Sequence, residues 1–295
     1  MVSKKQPISL VLSGGGARGL AHIGVIEELL KQGYEIKSIA GTSMGSVVGG
    51  IHALGKLNEF KEWMYTLDRR KVFNLVDFAW RGLGIIKGDR VLDKIKEFIQ
   101  DENIEDLNIP FVAVATDIQN NEEIVFKKGS VFDAIRASIA IPTVITPVET
   151  DKGLLVDGGV LNNIPVSRVV RTKNDKLVVV DVNALIPVYK PKISKKKQEE
   201  QESDYLKKIK RFYNQLQKII PSSAPKEEKL GYLDLIEKSM NLMMHQSSNE
   251  ALKKYKPDVL IKVSRDSCSA FDFYKAEELV EIGRHAAKLA LEEQK

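Results

Sequence analysis

The sequence predicts an α/β fold, a largely parallel sheet covered by helices, on two observations. Short apolar runs that stop at glycines or small polar residues alternate along the chain with segments whose apolar residues recur at helical spacing. The chain is also long enough, at 295 residues and 43% hydrophobic, to bury a substantial core. It is read as one domain over 1–295 with a basic, partly helical insertion at about 187–225.

The first element is the apolar run 8–12, which ends in Ser13 and three glycines as a buried strand does. Residues 21–31 carry Ile23, Ile26, Leu29 and Leu30 at helical spacing, so the opening pattern is strand, glycine loop, helix. A second strand over 36–40 leads into a small-residue helix over 46–54. Later strands are expected at 111–115, 153–156, 177–182 and 259–263, with helices at 91–100 and 275–293 between and after them. The segment 57–87 gathers Phe60, Trp63, Phe73, Phe78 and Trp80. Packing against the sheet is favoured there over a substrate-facing lid.

Charge and composition narrow the function classes. A net charge of +5 suits an anionic membrane surface and is too weak to argue for nucleic acid. The single cysteine, Cys268, excludes an internal disulfide and suits a reducing compartment. No run approaches the roughly 18 apolar residues that span a bilayer, and the N-terminus lacks the h-region of a signal peptide. The expected location is cytoplasmic, at most peripheral to a membrane. Within the insertion, Tyr205, Ile209, Phe212, Leu216 and Ile219 recur at helical spacing among lysines and Arg211. This basic amphipathic helix is a candidate for membrane contact or a homodimer, against the plainer reading that it lies on its own domain.

Gly14 to Gly19 fits G-x-G-x-x-G between a strand and a helix, the setting of a dinucleotide fingerprint. That reading also needs an acidic residue at the end of the second strand, where the chain has Gly41-Thr42-Ser43 instead. What remains is a row of backbone N–H groups at a helix N-terminus, an anion site. In acyl chemistry the anion is the tetrahedral intermediate's oxygen, so Gly14, Gly15, Gly16 and Arg18 are candidates for an oxyanion hole. Arg18 adds positive potential there, or braces the loop by bonding carbonyls. Gly41-x-Ser43-x-Gly45 matches G-x-S-x-G, also between strand and helix, where glycines permit a turn so sharp that the serine hydroxyl projects. Ser43 is the candidate nucleophile and Gly41 and Gly45 its elbow. The alternative is a tight turn with a capping serine.

A nucleophilic serine needs a base. His52 lies nine residues beyond Ser43 on the same expected helix, roughly 13 Å of rise away. His22 is expected to pack or cap, and His285 sits in the middle of an amphipathic run. His245, read as ending a methionine-rich helix, is the histidine competitor and would give the order Ser, Asp, His. The other candidate is Asp157, at the end of an apolar strand and followed by two glycines. In water its pKa of about 3.9 makes it a weak base, but a dry cleft raises it. An Asx turn is the structural alternative.

Together GGGARG at Gly14, GTSMG at Gly41 and DGG at Asp157 resemble the patatin-like phospholipase family. The likeness continues through Gly88-Asp89-Arg90, Ile109-Pro110-Phe111, Ala137-Ser138-Ile139-Ala140-Ile141-Pro142 and Asn162-Asn163-Ile164-Pro165-Val166, resumes near Tyr255-Lys256-Pro257-Asp258, and leaves out 187–225. The resemblance implies a three-layer α/β/α hydrolase that cleaves acyl esters of phospholipids or lysophospholipids, with no metal or cofactor. It implies Ser43 as nucleophile, Asp157 as base, no catalytic histidine, and an oxyanion held by backbone N–H groups near Gly15 and Gly16. A silent lipid-binding scaffold and an acyltransferase using the same dyad stand as the alternatives.

Overall fold

In a computed structural model the described residues are 5–75, 77, 84–191 and 232–293. Tyr205, Ile209, Phe212 and Leu216, with Phe78, Trp80 and most of the insertion, lie outside them. The strands are β1 (Gln6–Leu12), β2 (Tyr34–Thr42), β3 (Gly84–Ile86), β4 (Phe111–Asp117), β5 (Glu122–Phe126), β6 (Thr143–Ile145), β7 (Val148–Glu149), β8 (Leu154–Asp157), β9 (Lys176–Ala184) and β10 (Val259–Ser264). The helices are α1 (Ala21–Lys31), α2 (Met44–Ala53), α3 (Leu57–Tyr65), α4 (Arg69–Asn74), α5 (Asp89–Lys96), α6 (Val131–Ser138), α7 (Tyr232–Tyr255) and α8 (Ala276–Glu292).

The main sheet runs β10-β9-β1-β2-β4-β8-β7, with β5 also on β4. β10, β9, β1, β2 and β4 pair in parallel, whereas β5, β7 and β8 pair antiparallel. The central strands are buried on both faces, which is why they read as unbroken apolar runs. Ile8, Leu10 and Leu12 of β1 face one core with α1, α2 and α8. Val11, Ala40, Val114 and Val179 face a second core with Ile164, Val166 and Val169, onto which Leu252 of α7 packs. Helices and loops thus cover both faces of a mostly parallel sheet. Phe60 is buried and Trp63 packs beside it at 6.0 Å and on Phe98 at 5.6 Å, so this part of the aromatic segment is packing.

Two differences from the sequence reading concern function. His245 does not end its helix. α7 continues through the polar run Gln246-Ser247-Ser248-Asn249 to Tyr255, because Ser248 is buried against the loop after β8 and Leu252 against the sheet. β8 is antiparallel to β4, with Ala115 opposite Asp157. Asp117 ties the start of β8 to the end of β4, since its carboxylate accepts the N–H groups of Gln119, Asn120 and Leu154.

α1 and α8 cross at two glycines. A Cβ on Gly24 would lie 1.9 Å from Val280 O, and one on Gly283 would lie 1.9 Å from Ala21 O. The crossing is flanked by Glu27, which accepts from Arg284 Nε at 2.9 Å and Lys61 Nζ at 2.8 Å. Gly283→Ala should therefore lose about 3 kcal/mol of unfolding free energy by overpacking against backbone, more than the ~1 kcal/mol of helix propensity it gains. Urea unfolding measures this, and a stabilised variant would contradict the crossing.

Candidate active site

Parallel strands deliver their strand-to-helix turns to one edge of the sheet. β1 and β2 are neighbours, with Leu12 opposite Gly41, so the glycine loop and the serine turn emerge side by side. Asp157 reaches the same place from the other direction. β8 descends from beyond the carboxyl edge, stops after four residues opposite Ala115, and turns away at Gly158, where a Cβ would lie 2.3 Å from Val114 O.

Ser43 stands between β2 and α2 with φ 52° and ψ −125°, a left-handed backbone that costs a non-glycine residue about 1–3 kcal/mol. The turn is held from both sides. Ser43 O accepts Ser46 Oγ at 2.6 Å and the N–H of Val47 at 3.1 Å, while Ser43 N donates to Ser138 Oγ at 2.8 Å. A Cβ on Gly45 would lie 2.3 Å from Leu12 O and one on Gly41 2.4 Å from Gly45 O, so each glycine is there because backbone passes too close for a side chain.

The Asp157 carboxylate accepts Gly159 N–H at 2.7 Å, and the Ser43 side chain stands close enough to it to influence its ionisation. Burial pushes its pKa up to about 6, against the lowering effect of the Ser43 side chain and the Gly159 N–H. The Asx turn to Gly159 and the contact with Ser43 therefore coexist. The segment after α6 ties the pair together, since Ser138 Oγ receives Ser43 N and Ala140 O receives Asp157 N at 2.8 Å. These positioning roles of Ser138 and Ala140 were not recognised from sequence; the block 137–142 was the available signal.

The glycine loop lies over Ser43. A Cβ on Gly14 would meet Ser43 Cβ at 3.1 Å and Asn163 Oδ1 at 2.7 Å. Asn163 Oδ1 is also 3.2 Å from where a Cβ on Gly159 would stand, which wedges it between the two glycine turns. Gly14 N–H is already spent on Asn163 O at 3.1 Å, and this corrects its place among the oxyanion donors. Of the two roles read for Arg18, positive potential and bracing, its hydrogen bonds fit the second. Its guanidinium donates to Asn183 Oδ1 at 2.9 Å and to Cys268 O at 3.3 Å, and Asn183 Nδ2 donates to Gly14 O at 2.7 Å, so Arg18 braces the loop. Gly15 and Gly16 are left as its candidate donors.

The four histidines have surroundings of their own. His22 is fully buried beneath the glycine loop, where Nε2 bonds Ser13 O at 2.8 Å, and burial lowers its pKa to about 4. His52 is lowered to about 4 by burial as well. His285 stacks on Tyr189 at 3.7 Å. His245 lines a cleft with Asn163 and Met244 and meets Asn249 Nδ2 through Nδ1 at 3.2 Å. Among the described residues no group of three or more His, Cys, Asp or Glu side chains is arranged to hold a metal ion, and no helix is long and apolar enough to cross a membrane.

A family model described as patatin-like phospholipase matches residues 10–170. An uncharacterized NTE family protein of Mycobacterium tuberculosis is 32% identical over 98% of this chain and 92% of its own. Lysophospholipase NTE1 of Candida glabrata is 28% identical over 97% of this chain, which corresponds to 16% of that protein. The crystal structure of VipD from Legionella pneumophila aligns with 99% of this chain and 67% of its own at 14% identity and a TM-score of 0.48.

Proposed function

The chain belongs to the patatin-like phospholipase family, and from that premise we propose that it is a serine acyl hydrolase cleaving fatty-acyl esters of phospholipids or lysophospholipids through Ser43 and Asp157. The observation that carries the reading is the placement of a buried carboxylate beside the side chain of a backbone-strained serine. The relative named lysophospholipase supports the substrate class.

In this mechanism Asp157 takes the Ser43 hydroxyl proton as Oγ attacks the ester carbonyl. The oxygen of the tetrahedral intermediate turns to Gly15 and Gly16 N–H, each such donor typically contributing ~3 kcal/mol. Asp157 then returns its proton to the departing alkoxide, leaving an acyl-serine. Water attacks the acyl carbon while losing a proton to Asp157, Ser43 leaves with a proton, and the fatty acid is released. Burial equips Asp157 for both directions, because an acid with a pKa near the working pH both accepts and gives up the proton.

The pH profile tests this assignment. A base works only when ionised, so kcat/KM on a soluble short-chain ester should rise with pH and level off through about 6, where Asp157 loses its proton. A profile whose rising limb is removed by His245→Ala would assign the base to histidine instead.

A further inference from the structure

The two ends of α7 have different surroundings. Toward the C-terminal end Leu252 packs on the sheet, and Ser248 is buried with its hydroxyl 3.4 Å from the Asn163 amide nitrogen. Earlier in the helix Leu235, Leu242 and Met243 stand in solvent. At 69% exposure Leu242 is the most open large apolar side chain among the described residues, and Met243 follows closely at 63%. From Ser239 to Asn249 the helix carries no Asp, Glu, Lys or Arg, in a chain that is 29% charged. A solvated helix face is ordinarily charged or polar, so an uncharged stretch that turns Leu and Met outward marks a contact surface.

This surface adjoins the dyad. Val160 and Leu161 follow Asp157 closely in the chain, and both are exposed. Ser247 Oγ donates to Leu161 O at 3.3 Å, and Met244 Sδ lies 3.3 Å from where a Cβ on Gly159 would stand. Met243 is one turn before Ser247 on the same side of the helix. The open end of α7 and the loop that carries the base therefore form one apolar rim beside Ser43.

Charge identifies what covers it. Lys238, one turn from both Leu235 and Leu242, is exposed and in no salt bridge among the described residues. On its inner side α7 faces Arg18 and Arg265 against one carboxylate, Asp181. The whole chain carries +5. An apolar patch bordered by cations suits an anionic lipid surface, whose phosphates meet the cations while the apolar side chains enter the acyl boundary. Methionine, unbranched and flexible, adapts to such an irregular boundary.

We propose that the open end of α7, with Val160 and Leu161, is the face by which the protein docks on an anionic lipid surface, Leu242 and Met243 entering the acyl boundary and Lys238 meeting the headgroups. The proposal rests on the hydrolase reading only for the ester that such a surface presents to Ser43.

The test is flotation of full-chain Ser43→Ala protein with vesicles of phosphatidylcholine and phosphatidylglycerol in equal parts, and with vesicles of phosphatidylcholine alone. Binding should be tighter to the mixed vesicles. Leu242→Ser with Met243→Ser should weaken it at least 10-fold, Met243→Leu should leave it unchanged, and Lys238→Gln should narrow the difference between the two compositions. Leu289→Ser, an exposed position on α8 across the sheet, should have no effect. Circular dichroism and melting confirm that each variant is folded. Binding that the Leu242 and Met243 pair does not change overturns the face and moves the contact to another part of the chain. Equal binding to both compositions overturns the anionic assignment. Absent vesicle binding, with a dimer in sedimentation that the pair substitution dissolves, assigns the face to a second copy and overturns the lipid role. No turnover enters these measurements, so failure of the hydrolase reading is seen separately, as ester cleavage by wild-type protein that is missing or independent of Ser43.

Discussion

Asp157→Asn should lower kcat/KM for ester hydrolysis by about 10³-fold and at the same time raise the melting temperature at pH 8. The rate loss follows from removing the general base, which is typically worth 10²- to 10⁴-fold, while the amide keeps the size of the side chain. The stability gain follows from linkage. Burial raises the folded-state pKa of Asp157 to about 6. The stability that its neutral form contributes is present in acid and is lost as pH rises through that value. At about 1.4 kcal/mol per unit, keeping the carboxylate ionised costs on the order of 3 kcal/mol at pH 8. The amide of the variant would carry no such charge, so the gap between variant and wild type should close below pH about 4. Paired activity assays and melts at pH 4 and 8 measure both halves. A variant with wild-type activity, or one less stable than wild type at pH 8 by several degrees, contradicts the assignment. His245→Ala should lose far less activity than Asp157→Asn.

Gly45→Ala should destabilise the protein by about 3 kcal/mol or more and abolish activity in what remains folded. The added methyl would meet Leu12 O at 2.3 Å and Ser13 O at 2.7 Å, both backbone atoms of the strand that carries the glycine loop. The far end of a flexible side chain could swing aside, whereas these atoms move only with β1. Relief would have to displace α2 from β1, and with it Ser43 from the loop above it. Denaturant unfolding and active-site titration read the two effects. An active Gly45→Ala protein of unchanged stability would mean that the turn is looser than its geometry.

Much of this arrangement could be read from residue order. The runs before Gly14, Gly41 and Asp157 are strands, and the three turns meet at one edge of the sheet. Strand direction could not be read, because apolar patterning marks a strand equally whichever way it runs. β8 runs antiparallel to β4, pinned at its start by Asp117, and so ends level with the serine turn. The donors of the glycine loop were over-assigned for a similar reason. A glycine-rich run advertises N–H groups without saying which are taken, and Asn163 O, far along the chain, takes that of Gly14. Arg18 is directed by Asn183 and Cys268, equally remote in sequence. Gly24 and Gly283 carry no local signal of the helix crossing, since a crossing needs both helices to be seen together. His245 looked terminal because a polar run follows it, and tertiary burial of Ser248 overrides that local signal.

The most direct measurement of the central claim is covalent labelling with a fluorophosphonate probe followed by peptide mapping. The dyad predicts one adduct, on the peptide carrying Ser43, formed faster as pH rises through about 6 and absent from Ser43→Ala. Labelling that persists in Ser43→Ala, or an adduct mapped to another residue, would contradict it.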